Sequence, residues 1–153
     1  MRSLWRATIW HPDAIPSTEG STSREMKRIV LPLFDLLVIV MGFNAVTRGM
    51  PSFSIVYDDA VATLAAWALL AAGVVALAGV SFPGLWWLEA AGKLAMMAVL
   101  GGYAAAIWVA YFQGSGGRAF VAAGLTALLI LPLWNLYRLG RERTVRLLRR
   151  GAA

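Results

Sequence analysis

Cysteine is absent from this chain, which excludes disulfides, thiolate metal sites and thiol redox chemistry. Histidine is reduced to His11, which lies outside every apolar run, so no histidine-based metal cluster is available. Charge is missing over long stretches: residues 60–88, 94–117 and 119–137 carry none, and residues 29–47 carry only Asp35. Within the apolar segments, paired carboxylates, a nucleophile beside a base and a glycine-rich phosphate loop are lacking too. Gly114-Ser115-Gly116-Gly117 is too short for such a loop and reads as a turn. These absences argue against an enzyme and against any cofactor or metal.

What fills the space is hydrocarbon. The 153 residues are 59% hydrophobic, against about 45–50% in ordinary globular chains. A soluble protein of this size is mostly surface and cannot bury four helices that are apolar all round. About 20 helical residues cross the hydrocarbon core of a bilayer, and each uncharged block is long enough or nearly so. The expected fold is therefore all-α, an integral membrane four-helix bundle with spans at about 29–47, 60–80, 88–112 and 118–139. Residues 1–28 and 140–153 flank this membrane domain as tails.

The net charge of +6 is concentrated in the tails. Arg2, Arg6, Arg24, Lys27 and Arg28 precede the first span, and Arg138, Arg141, Arg143, Arg146, Arg149 and Arg150 follow the last. Cytoplasmic flanks collect Lys and Arg, so both termini are expected inside, in a cytoplasmic membrane. Lys93 then also falls inside, and only Arg48 and Arg118 face out. This distribution suits an anionic inner leaflet rather than nucleic acid, with the C-terminal tail a basic helix on the membrane surface. No cleavable signal peptide is expected, since the first apolar run begins only after Arg28.

Met1–Trp10 reads equally as a short interfacial helix or an unstructured tail, and Pro12–Ser21 reads as a linker. Thr22 and Glu25 fit a capping box, and Pro32 should kink span one. The Arg48–Asp59 loop carries Met50, Phe53, Ile55, Val56 and Tyr57, which suggests that it lies on the bilayer surface. Asp58 or Asp59 is the natural N-cap of span two. Small residues recur every four positions as Ala68-Ala72-Ala76, Ala98-Gly102-Ala106-Ala110 and Ala119-Ala123-Ala127. Such ridges let helices approach closely in lipid, within one chain or between chains.

Few polar groups enter the spans. An ionised carboxylate at mid-bilayer costs roughly 2.5–3.5 kcal/mol on insertion scales, so Asp35 requires a partner or a task. Six residues past Ile29, at 1.5 Å each, it lies about 9 Å beyond the inner boundary, within reach of Arg28. Leu131-Pro132-Leu133-Trp134-Asn135-Leu136 echoes Leu31-Pro32-Leu33-Phe34-Asp35-Leu36. Both elements sit near the inner side, so a hydrogen bond from Asn135 to Asp35 would join the first and last helices. The alternative makes Asp35 a proton or cation site. Glu89 and Lys93, four apart in the favourable order, read as a local helical ion pair at the inner interface. Asn44 falls on the opposite face from Asp35, near the outer boundary, where it bonds water or a neighbouring helix.

The Leu-Pro-Leu-Phe-Asp-Leu-Leu start of span one, Gly49-Met50-Pro51-Ser52-Phe53, and Val80-Ser81-Phe82-Pro83-Gly84-Leu85-Trp86 with Glu89, Gly92 and Lys93 carry a family likeness. Over residues 24–141 the chain resembles small four-span membrane proteins encoded by actinobacteriophages. The resemblance implies viral origin and, in some relatives, a place among lysis genes. It leads to the expectation of a holin-like protein that forms homo-oligomers and permeabilises or depolarises the host's cytoplasmic membrane. Two other expectations remain: a non-lytic interaction protein (for superinfection exclusion or to tether a cytoplasmic protein partner) and a small ion-coupled transporter using Asp35.

Overall fold

The computed structural model describes residues 8–11, 14–15, 21–50, 53, 56–114 and 116–151. Among these the regular structure is entirely helical, and four helices are long and apolar enough to cross a membrane: Ser23–Arg48, Asp59–Ser81, Pro83–Phe112 and Ala119–Arg141. They are spans one to four below. Each exceeds or matches the expected range, because capping and turn residues at the ends also join the helices. The last helix, Ile130–Gly151, carries the basic tail without a break.

Successive spans run antiparallel and pack in chain order: one on two, two on three, three on four. All four contribute to a single core: Phe34 and Val38, then Ala72 and Ala76, then Met96 and Leu100, then Ala122 and Leu125. Their other faces present Leu64, Phe112, Phe120 and Ile130 outward, as a lipid-facing surface requires. A soluble helix pairs its apolar stripe with a polar one; these helices are apolar on both sides.

Glycine sets the helix spacing at the two tightest crossings. A β-carbon at Gly42 would stand 2.6 Å from the backbone of Leu70, and one at Gly73 would stand 2.8 Å from Ile39. Three residues forward on span one correspond to three residues back on span two, so both contacts belong to one register. On the far side of span two, Gly92 faces the Ala76 backbone and Gly79 lies against the Glu89 backbone, again in one antiparallel register.

The small-residue ridges are only partly used. Ala72, Ala76, Ala106 and Ala110 are buried and Ala68 half-buried, whereas Ala98 is exposed and Gly102 meets open space. In span four Ala119 is half-buried and Ala123 and Ala127 are exposed, the buried positions being Ala122 and Leu125. The reason is geometric. Four residues advance an α-helix about 40° beyond a full turn, so a strict four-residue ridge winds away from a straight neighbour.

Each proline near the basic end deforms its helix in a different way. Residues Met26–Val30 form a π-helical turn directly before Pro32, with the Leu31 N–H donating to the Met26 carbonyl, five residues back. The wider turn relieves the crowding that a proline ring imposes on the carbonyl four residues earlier. That carbonyl belongs to Arg28, and Pro32 has no N–H to offer it. The indole of Trp10 donates to it instead, at 3.1 Å. Pro132 has its counterpart at Leu129, where the helix breaks between Ala119–Leu128 and Ile130–Gly151.

Trp10 belongs to the described part of the N-terminal segment; most of Met1–Trp10, where a helix or a tail was expected, falls outside the described residues. Residues 8–11 and 14–15 make turns across the basic end of the bundle, and residues 1–7 lie outside the described residues. The Ile9 N–H donates to the Ser81 carbonyl (2.9 Å), the Arg28 guanidinium donates to the His11 carbonyl (3.1 Å), and Ile9 and Ile15 are buried. This strap ties the start of span one to the end of span two. Trp10→Phe keeps the ring and removes only the donor, so it should cost about 1 kcal/mol in detergent unfolding titrations. Trp67→Phe, on an exposed face of span two, should leave the same titration unchanged.

At the opposite end two described residues of the first loop pack on the bundle. Met50 and Phe53 are buried against Ala62, Ala66 and Ala106, and Phe53 stacks on Tyr57 at 4.5 Å between ring centroids. Val56 and Tyr57 are exposed, and Ile55 lies outside the described residues. Asp58 occupies the N-cap position of span two in an extended conformation, but no side-chain hydrogen bond closes that cap. The Thr22 side chain lies outside the described residues, so the capping box at Ser21–Glu25 is not described.

Candidate functional site: a buried polar cluster across three spans

Span three presents one continuous stripe to the core: Glu89, Gly92, Lys93, Met96, Leu100, Ala104 and Ile107. These positions follow the three- and four-residue steps of a single helix face. The two charged residues are thus on the buried side, and Lys93 is wholly enclosed. An ammonium in an apolar core demands a counter-charge. The Lys93 Nζ donates to Asp35 Oδ1 of span one, and both side chains are fully buried. It also lies 5.1 Å from the centroid of the Phe34 ring, a cation–π contact in a desolvated site.

Glu89, one turn earlier, turns to span four. The Asn135 Nδ2 donates to Glu89 Oε1 at 2.6 Å, with Asn135 fully enclosed. Gly79 makes room for this by letting span two touch the Glu89 backbone. Within the cluster, Asp35 Oδ2 and Asn135 Oδ1 are buried without a hydrogen-bond partner.

The pairing differs from the sequence expectation in both halves. Asp35 bonds Lys93 and not Asn135 or Arg28; Glu89 bonds Asn135 and not Lys93. Span three stands between the two proline elements and gives each its own partner. The physical reason is that an ammonium satisfies a buried carboxylate with full opposite charge, whereas an amide supplies only a dipole. An intrahelical Glu89–Lys93 pair would have left Asp35 charged and alone. The echo itself is real in space: Asp35 and Asn135, each three residues after a proline, meet consecutive turns of span three.

Several other polar side chains bond their own helices, and one bond, from Trp108 to Thr126, joins spans three and four. Asn44 is exposed and its Nδ2 donates to the Val40 carbonyl at 2.9 Å, so it reaches no neighbouring helix. Thr47 donates to the Phe43 carbonyl, Ser81 to Leu77, and Thr126 to Ala122 while accepting the Trp108 indole N–H. Such back-bonding satisfies polar atoms without water. Of the C-terminal arginines, Arg138 packs 5.5 Å from the Trp134 ring centroid and Arg141 is exposed. The side chains of Arg143, Arg146, Arg149 and Arg150 lie outside the described residues.

Two signals of this site were missed in the sequence. The positions 89, 92, 93, 96 and 100 define a helix face that is otherwise apolar, which makes Lys93 a core lysine. The carbonyl orphaned by Pro32 calls for an outside donor, and an indole N–H close to the helix start is suited to it. Chemically, the cluster is a polar joint among spans one, three and four, made of one buried ion pair and one amide–carboxylate hydrogen bond. No family model, curated protein or solved structure matches the chain, so this joint and the fold around it carry the functional reading.

Proposed function

We propose that the chain is a phage-type holin-like protein, which self-associates in a host bacterial cytoplasmic membrane and permeabilises or depolarises it. The observation that carries this reading is the outward face of span four. Only 22% of its most apolar stretch is buried, against 28% in span one and 33% in spans two and three. Its Ala123, Gly124 and Ala127 are exposed instead of serving the bundle. In lipid, apolar helices gain little from merely being apolar, and small residues favour association by allowing close backbone contact. Both tails emerge at one end of the bundle, which by the positive-inside rule is the cytoplasmic end.

Expression in a bacterial host with a potential-sensitive dye tests the proposal. Depolarisation should accompany accumulation of the wild-type protein, and an Ala123→Leu/Ala127→Leu variant should accumulate without it. Absence of depolarisation at high wild-type expression would overturn the reading.

A non-lytic interaction protein is the second reading, supported by the continuous helix that carries the arginine-rich tail out to Gly151. Deleting residues 140–153 separates the two: a tether loses its cytoplasmic partner, whereas a pore former changes mainly in timing. The transporter reading is weakened by Lys93, which already neutralises Asp35.

A further inference from the structure

The end of the bundle opposite the basic tails contains a pocket of about 260 Å³ between the close of span one and the start of span two. This is below the roughly 300–1,000 Å³ that encloses a drug-sized ligand, so it suits a small group. Its floor is apolar, made in part by Val46, Ala62 and Ala66. Its other lining includes Arg48, Asp59 and Thr63, all exposed.

The two charges are unusual in their restraint. Arg48 and Asp59 line the same pocket without pairing with each other, and neither has another side-chain partner among the described residues. The first turn of span two lies beside them with no side-chain cap, so its N–H groups add a positive field.

The geometry points to a binding site for the headgroup of a phosphatidylethanolamine molecule. Its phosphate would take the guanidinium of Arg48, and its primary ammonium the carboxylate of Asp59, with Thr63 available to either. A guanidinium matches phosphate oxygens through its planar fork of donors. The opposite charges are separated enough to remain unpaired, which a dipolar ligand bridges and a singly charged one does not. The pocket's place at the end of two membrane-crossing helices puts it at the depth of lipid headgroups, where such a dipolar group is abundant. This inference is independent of whether the protein permeabilises membranes.

The test uses the full chain in nanodiscs containing equal amounts of phosphatidylethanolamine, phosphatidylcholine and phosphatidylglycerol. After delipidation in mild detergent, the lipid that stays bound is counted by mass spectrometry. Phosphatidylethanolamine should be retained about fivefold over each of the others, the scale of one exposed charge pair. Phosphatidylcholine lacks the ammonium N–H donors, and phosphatidylglycerol lacks the cation. Arg48→Gln and Asp59→Asn should each bring retention to parity, and soluble phosphoethanolamine should displace the wild-type lipid. Equal retention of the three lipids by the wild type, or a preference surviving both substitutions, would overturn the assignment. So would bound lipid that soluble phosphoethanolamine fails to displace, since retention would then rest on the acyl chains.

Discussion

Replacing Lys93 with Met should destabilise the protein by about 3–5 kcal/mol, the cost of leaving one member of a buried ion pair without its partner. Methionine approximates the length of the lysine stem, so packing against Met96 and Phe34 changes little. What changes is that Asp35, fully enclosed, keeps a carboxylate with no cation. Asp35→Leu should cost a similar amount, for the converse reason. The double variant Asp35→Leu/Lys93→Met should recover most of the loss, because two apolar side chains often replace a buried pair at little cost. Denaturing-detergent titration of all four proteins gives the coupling energy directly. A single Lys93→Met variant that unfolds like the wild type would contradict the pairing.

Gly79→Val is expected to be as damaging by a different route. A β-carbon at Gly79 would fall within the backbone of Glu89, which has no side-chain freedom with which to yield. Spans two and three must separate, at a cost on the order of 3 kcal/mol, the upper part of the range for overpacked cores. The displacement also moves Glu89 away from Asn135 and disturbs Lys93 one turn further on. The natural absence of cysteine makes this easy to follow. A cysteine pair introduced at Ala72 and Met96, which share the core, should cross-link in the wild-type background and much less with Gly79→Val. Gly102→Ala is the contrasting case. It meets nothing within 4 Å, so it should be neutral or gain up to about 1 kcal/mol from helix propensity.

The spans were legible because their signal is one-dimensional. A run of uncharged apolar residues such as 60–88 needs no knowledge of its neighbours to be read as a membrane helix. The proline echo was legible for the same reason, and it located two of the four buried polar residues, with Glu89 and Lys93 marked separately. Partner choice was not legible, because it depends on how three helices are rotated about their axes. Asp35 had two candidate donors in sequence, Arg28 and Asn135, and the rotation of span three brings it a third, Lys93. The close contacts at Gly42, Gly73, Gly79 and Gly92 were hidden for a related reason. A four-residue ridge such as Ala119-Ala123-Ala127 is easily seen in a sequence, whereas the tightest contacts depend on register between helices.

The strap at the basic end also constrains the order of assembly. Trp10 and Ile9 are synthesised early, but their acceptors lie on Arg28 and Ser81, and the second does not exist until span two is complete. The N-terminal segment therefore waits through the synthesis of half the chain before it can dock. Until then the Ile9 N–H has no acceptor, and the emerging protein lacks the clasp that joins its first two helices. Closure of that clasp marks the moment at which the first hairpin is fully made.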